Sequence, residues 1–490
     1  MGYFCVQKTA FFIDEGFVYV HSNGAAPDWS TFTDKYGTCT YRSQALNEFM
    51  LVQPERRFNY QQIYKNLLVH PPVYYILFHT ISSFFPDTFS KWFGLSLNLV
   101  FFAITQILFY FLCQRIFQNK KISLLTMILY GFSIPAISTV VYIRSYMLLT
   151  LGILWFCILC TDADIYKDRL KLSYKRLAAV FGCIVLIGLT HYYFFITAFF
   201  ACAMVCFFLL LKRKFSALGT FIATSLAAVG SCFVLFPPMA SHLLESERGY
   251  SNSIEPSLLF FDWKNFLNPH MLNQFITQDM LFSFFPDGTN LVAIFLILGI
   301  VWGGFRYLKD KAFSPQIFML AVVTFASLLV ISVIMPIQTE RYFFQMAPLM
   351  YLLMVAFLYD VCRRIAGKWS VFAILFFVGM TVVMSLERPY YRSYFKSPTH
   401  PDGVFITAIK DRMLLVHSHW KMWLLGLYAM NAKNAIIFPD SYSQCYLDAM
   451  QKYKRSELAI ISIKGKDCQH VKGWKLISDE ETCSYLGVDD

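Results

Sequence analysis

The chain has 490 residues, 57% of them hydrophobic and 15% charged, with a formal net charge of +11. A soluble protein is about a quarter charged, so the composition excludes an ordinary soluble domain. It also argues against a nucleic-acid partner, because much of the positive charge lies in short clusters between apolar runs.

In chain order, the apolar residues 1–13 run directly into Asp14 and Glu15. As a helix this stretch reaches about 20 Å, short of the roughly 30 Å hydrocarbon core. It is predicted to finish a span that begins upstream or within the membrane, with the acidic pair at its outward end. No cleavable signal peptide is expected, since the stretch lacks a basic n-region and a small-residue cleavage site. Residues 14–92 then form a first outer loop. Within it HPPVYYILFHTISSFF, residues 70–85, is bounded by Pro71, Pro72 and Pro86 and is too short to cross. It reads as an interfacial or re-entrant helix on the outer side.

Apolar runs follow at 93–113, 122–142, 146–161, 177–191, 194–211, 216–237, 291–307, 316–337, 343–359 and 370–386. They are continuous rather than alternating in polarity, which excludes a β-barrel. With the first segment they predict an all-α polytopic membrane protein of about 11 spans. Basic clusters follow every second run: Arg115, Lys120 and Lys121; Lys167 to Arg176; Lys212 to Lys214; Arg306 to Lys311; Arg363 to Lys368. That is the signature of cytoplasmic loops. The outer side then receives the first loop, the turns around Arg144 and His191, the long loop 238–290, the QTERY turn at 338–342 and the tail. Of the 13 Cys, Cys157 and Cys160 have CxxC spacing, but they sit in a span, so neither redox nor zinc chemistry is expected.

The chain thus divides into a membrane domain, 1–386, and a tail, 387–490. The tail is mixed in charge, and NAIIFPD and ELAIISIKG look like strands beside a helix around 405–430. A small outer-side α/β domain is predicted.

Several polar groups share the outer side: Asp14 and Glu15, His70, Arg144 and Tyr146, His191, and Arg341 and Tyr342. Each alone also reads as a headgroup anchor, a helix cap or an aromatic-belt residue. Together they suit group transfer from a phosphate leaving group to a hydroxyl. A carboxylate takes the acceptor proton, and arginines hold the departing phosphate through bidentate hydrogen bonds.

The stretch FFIDEGFVY followed by SN, the HPPVYY segment, RSY at 144–146, THYY at 190–193 and ERYFFQMAPLM from 340 resemble the GT-C superfamily of polytopic glycosyltransferases. The likeness is to the branch with protein O-mannosyltransferases and lipid A aminoarabinose transferases, over roughly residues 8–360. The resemblance implies an enzyme of the cell envelope that moves a sugar, usually with inversion, from a polyprenyl-phosphate donor to a protein, glycan or lipid acceptor outside the cytoplasm. Asp14 and Glu15 would be the catalytic carboxylates, and Arg144 and Arg341 would bind the donor phosphate. His70, Tyr146, His191 and Tyr342 would line the substrate pocket, under the loop 238–290. Some relatives bind a divalent cation at the acidic pair, which here would fall to Asp14 and Glu15; others work without one. A transporter or flippase of a lipid-linked substrate is the alternative, and a structural or sensor role, supported mainly by the tail, a third; transporters use broken helices in pseudo-symmetric halves, and Pro135 within a span is one such break with no counterpart at a matching position.

Overall fold

The computed structural model describes residues 1–26, 31, 32, 35, 40, 41, 45–67, 70–162, 173–244, 272, 274–276, 314–334, 339–367, 370–387, 400–417, 422–438, 444–463, 474–478 and 482–488. Among these, five helices are long and apolar enough to cross a membrane: Trp92–Phe117, Phe194–Leu211, Phe215–Leu235, Pro315–Ile334 and Glu340–Arg363. Lys120–Gly131 and Ile134–Val141 make a sixth if taken as one span, bent by 54°. The bend has a local cause. Ser133 Oγ accepts the Ala136 N–H at 3.3 Å and Pro135 sits in the first turn, so a new helix starts there.

Tyr146–Cys160 and Tyr174–Gly188 have 15 residues each, about 22 Å of helix and short of a full hydrocarbon core. The expected span at 291–307 lies outside the described residues, as do most of the loop 238–290 and the basic residues around Lys167 and Lys309. The described residues therefore carry five helices long and apolar enough to cross, or six with the bent pair, against about 11 expected.

Residues 1–13 are not one helix, which corrects the placement of the acidic pair at a helix end. Helix α1, Gly2–Gln7, stops where Lys8 turns extended, and helix α2, Ile13–Asn23, starts after an extended Phe12. Asp14 and Glu15 thus open α2, where the partial positive charge of a helix N-terminus favours carboxylates. The segment after His70 forms the helix Val73–Ser83, about 16 Å long and too short to cross. Its first N–H bonds Leu189 O at 3.0 Å, which ties it to the turn carrying His191.

One close approach sets the turn at 142–144 against helix Trp92–Phe117. A Cβ on Gly94 would lie 2.1 Å from Ile143 Cγ2, so any larger residue there would push the turn away. Asn98, buried one turn on, fastens the same place through Nδ2 to Val140 O at 3.1 Å and to Tyr142 O at 2.7 Å.

The tail folds around a six-stranded sheet in the order β1-β3-β2-β4-β6-β5. The strands are β1 Thr40–Tyr41, β2 Met413–His417, β3 Asn434–Phe438, β4 Leu458–Ile463, β5 Trp474–Ser478 and β6 Thr482–Gly487. The two stretches read as strands are β3 and β4. The expected helix around 405–430 is corrected to two helices, Pro401–Ile409 and Met422–Ala429, flanking β2. β2 runs parallel to both neighbours, and a parallel strand covered on both faces shows an unbroken apolar run. In a single sequence MLLVH is thus indistinguishable from a buried helical turn.

The sheet also crosses the division at 387, because β1 from the first loop pairs antiparallel with β3. Leu414, Val416, Ala435, Ile437, Ala459 and Ile461 face the main core, while Met413, Leu415, Ile436 and Leu458 pack with Ala449 on the other side. Helix Met422–Ala429 lies against α2. Gly426 makes a nearby crossing possible, as a Cβ there would meet Met50 Sδ at 2.5 Å.

Candidate active site at the start of α2

The carboxylate of Asp14 meets two groups from distant parts of the chain. Its Oδ2 accepts from Tyr142 Oη at 2.9 Å and pairs with Arg341 Nη1. Arg341 Nη1 also donates to Tyr142 Oη at 3.0 Å, which closes a triangle of Asp14, Tyr142 and Arg341. The guanidinium lies over the rings of Phe12 and Tyr342, 5.8 and 5.2 Å from their centroids. Arg341 Nε is buried and has no hydrogen-bond partner among the described residues. One nitrogen of the fork is committed to Asp14 while its Nε edge is free.

Arg144 approaches Asp14 from the backbone side. Its Nη1 donates to Asp14 O at 3.2 Å and to Tyr75 Oη at 3.3 Å, and its Nη2 bonds His70 Nε2 at 3.2 Å. A guanidinium only donates, so His70 accepts through Nε2 and carries its proton on Nδ1. The His70 ring stacks on Tyr75 at 6.0 Å. His21, two turns along α2 from Asp14, completes this wall, its ring 6.1 Å from Tyr75. Burial first, and the Arg144 charge second, push its imidazole down to about 3.

Beside Arg341 stands an aromatic group. Tyr146 stacks on Tyr142 at 5.8 Å and lies 5.2 Å from His191 and 6.3 Å from Tyr342. Tyr193 joins His191 at 5.1 Å and Tyr342 at 5.2 Å. Arg144 and Arg341 therefore touch Asp14 directly, His70, Tyr146 and Tyr342 reach it through one neighbour, and His191 reaches it through Tyr146 and Tyr142.

Glu15 points elsewhere. It is fully buried, and Oε2 accepts from Lys8 Nζ at 3.0 Å and from the Phe12 N–H at 2.6 Å. Oε1 accepts the Ile143 N–H at 2.7 Å. This arrangement does not fit a divalent cation at the acidic pair. Such an ion needs several oxygens with open lone pairs, whereas both Glu15 oxygens are taken and an ammonium already stands against them. Among the described residues, no group of three or more His, Cys, Asp or Glu is arranged to hold a metal ion.

Sequence reasoning overlooked Lys8, His21, Tyr75, Asn98, Tyr142 and Tyr193 as parts of this site. Two of them carried a signal. Lys8 is a lone cation in an apolar stretch, and Asn98 a lone amide inside a span, and both are costly in hydrocarbon without a partner. Tyr75 and Tyr193 lie in the HPPVYY and THYY stretches, but as single residues these tyrosines, like Tyr142, look like any aromatic residue at a membrane edge.

No family model and no characterised protein sequence matches the chain. Solved structures do. ArnT from Cupriavidus metallidurans bound to undecaprenyl phosphate aligns over 98% of this chain and 95% of its own, with a TM-score of 0.47 and 10% identity. The archaeal oligosaccharyltransferase AglB from Archaeoglobus fulgidus, in complex with an inhibitory peptide and a dolichol-phosphate, aligns over 94% of this chain and 66% of its own. Its TM-score is 0.43 and its identity 11%. Both are GT-C superfamily members. At this level of likeness the comparison carries nothing about donor, acceptor or mechanism.

Proposed function

We propose that this chain is a membrane glycosyltransferase that moves a sugar from a polyprenyl-phosphate carrier to a hydroxyl acceptor on the extracytoplasmic side. The observation that carries the reading is the meeting of Asp14 with Arg144 and Arg341, from three distant segments, with the buried Nε of Arg341 unpartnered among the described residues. In this reading the free edge of Arg341, with Arg144 behind it, takes the donor phosphate. Asp14 takes the proton of the acceptor hydroxyl as its oxygen attacks the anomeric carbon. A new C–O bond forms, the C–O bond to phosphate breaks, and its electron pair leaves with the polyprenyl phosphate. Attack from the face opposite the phosphate inverts the anomeric centre. Tyr146, His191, Tyr193 and Tyr342 would shape the sugar's place.

The outer-side assignment draws support from the tail. Cys483 is disulfide-bonded, and disulfides persist in oxidising compartments and are rare in the cytosol. β6, which carries it, belongs to the sheet that β1 of the first loop joins.

Native mass spectrometry of the purified protein tests the class. A copurified glycosyl-phosphoprenol, consumed on turnover, is the expected result. A lipid-linked sugar that crosses vesicles with its phosphate bond intact would instead establish the flippase. Arg144→Ala and Arg341→Ala should each weaken donor binding or turnover by about 1.5–3 kcal/mol, the worth of a charged hydrogen bond. Lysine should recover only part, because it lacks the bidentate fork. If both alanine variants bind and turn over donor normally, the arginines are headgroup anchors.

A further inference from the structure

We propose that the acidic pair is charge-balanced by the chain's own cations, Lys8 and Arg341, in place of a divalent ion, and that Lys8 is a positioning residue for the phosphate site. The second half rests on the function proposed above; the first does not.

Lys8 is 1% exposed and Glu15 0%, so this ion pair is sealed from water. A cation that displaced Lys8 would have to bury or expel an ammonium and so leave a charge unpaired in the interior, which is strongly unfavourable. The backbone around Lys8 is also held. Lys91 Nζ bonds Lys8 O, Val6 O at 2.9 Å and Cys5 O at 3.1 Å, which caps α1 and keeps Lys8 at the break before α2. On the other carboxylate, Arg341 pairs with Asp14 Oδ2. Each acid therefore has its own fixed cation, and the charge of Arg144 is left in surplus for an incoming phosphate.

The pair also fixes geometry. Glu15 Oε1 holds the Ile143 N–H, and Ile143 lies between Tyr142 and Arg144, the two residues that the turn brings to Asp14. Lys8 keeps Glu15 aimed. Glu15 holds the turn, and the turn sets the distance between Arg144 and Asp14. Glu15 acts through these neighbours and not on the substrate.

Two measurements on the purified full-length chain test this. Electron paramagnetic resonance of added Mn²⁺, without lipid, should find equal bound metal in wild type, Glu15→Gln and Asp14→Asn. A Mn²⁺ equivalent held by wild type and lost in either variant overturns the proposal. Native mass spectrometry with undecaprenyl phosphate, before and after EDTA, gives the second reading. Chelation should leave the wild-type affinity unchanged. Lys8→Met should weaken it at least roughly tenfold, since small misplacements are costly at preorganised sites. Lys8→Met/Glu15→Gln should be no worse than Lys8→Met, because the two act as one unit. Where Lys8→Met fails to fold, the double variant, which removes both buried charges, carries the test. Wild-type affinity in a folded Lys8→Met or double variant overturns the positioning role. A wild type that never binds undecaprenyl phosphate sinks the proposed function, and the Mn²⁺ measurement still judges the charge balance.

Discussion

Asp14 and Glu15 share one turn of helix and differ in their surroundings. The Asp14 side chain is 19% exposed and paired with an arginine whose Nε has no partner among the described residues. Glu15 is 0% exposed, and each of its oxygens accepts a bond from a neighbouring lysine or backbone N–H. An acid that is fully satisfied where it stands serves architecture, because any new bond would cost it an old one. An acid that shares its partner with an open edge is placed for chemistry. The two should fail in different ways when they are changed.

The largest effect is expected at Asp14. Asp14→Asn keeps an oxygen for Tyr142 and Arg341 and loses the basicity, so sugar transfer should fall by about 10²–10⁴ while donor still binds. Full activity in this variant would remove Asp14 from the mechanism. Glu15→Ala should fail by unfolding. It leaves Lys8 buried and unpaired, a loss of about 3–5 kcal/mol, to be read as a large fall in the unfolding midpoint in detergent. A Glu15→Ala protein as stable as wild type, yet inactive, would reverse the two roles.

Much of this contrast was hidden in the sequence, and the reasons are physical. Asp14, Arg144 and Arg341 were visible because each is a charge at the edge of an apolar run, where a charge needs a reason. The spans at Trp92–Phe117 and Phe194–Leu211 were visible from length and apolarity alone. The break at residues 8–12 was not, because KTAFF contains neither proline nor glycine. It is imposed from outside, by Lys91 on the carbonyls of α1 and by Glu15 on the Phe12 N–H. Without that break the acidic pair looks like the end of a helix instead of its start. The pairing of β1 with β3 was likewise out of reach, since it joins residues 40–41 to 436–437 and no local pattern encodes so distant a partner.

His21 sharpens the comparison from further along α2. Its folded value, pushed down to about 3, lies below the ordinary 6.5. Between these values the unfolded chain binds a proton that the folded chain refuses. Stability should therefore be complete above 6.5 and be lost as pH falls toward 3. From pH 7 to pH 5 the loss from this group is roughly 2 kcal/mol. Thermal unfolding of wild type and His21→Asn across that range checks it, and an unchanged pH slope in the variant would mean that His21 is solvated.

The smallest effect is expected at Tyr142, and it bears most directly on how Asp14 is held. Its hydroxyl donates to Asp14 Oδ2 at 2.9 Å and accepts from Arg341 Nη1 at 3.0 Å. It therefore bridges the two charged groups without adding charge. Tyr142→Phe removes that bridge and keeps the ring, with its stacking on Tyr146 at 5.8 Å. The Asp14–Arg341 pair survives the change, because the two also bond directly. The cost should lie at the low end for a hydrogen bond to a charged group, about 1.5 kcal/mol, because Arg341 still holds the carboxylate; that is roughly a tenfold fall in turnover, with donor affinity and unfolding midpoint little changed. A fall as large as that of Asp14→Asn would mean that the phenol itself handles the proton. No fall at all would mean that Arg341 alone orients the carboxylate, and the guanidinium would then be the only group holding Asp14 in place before the phosphate arrives.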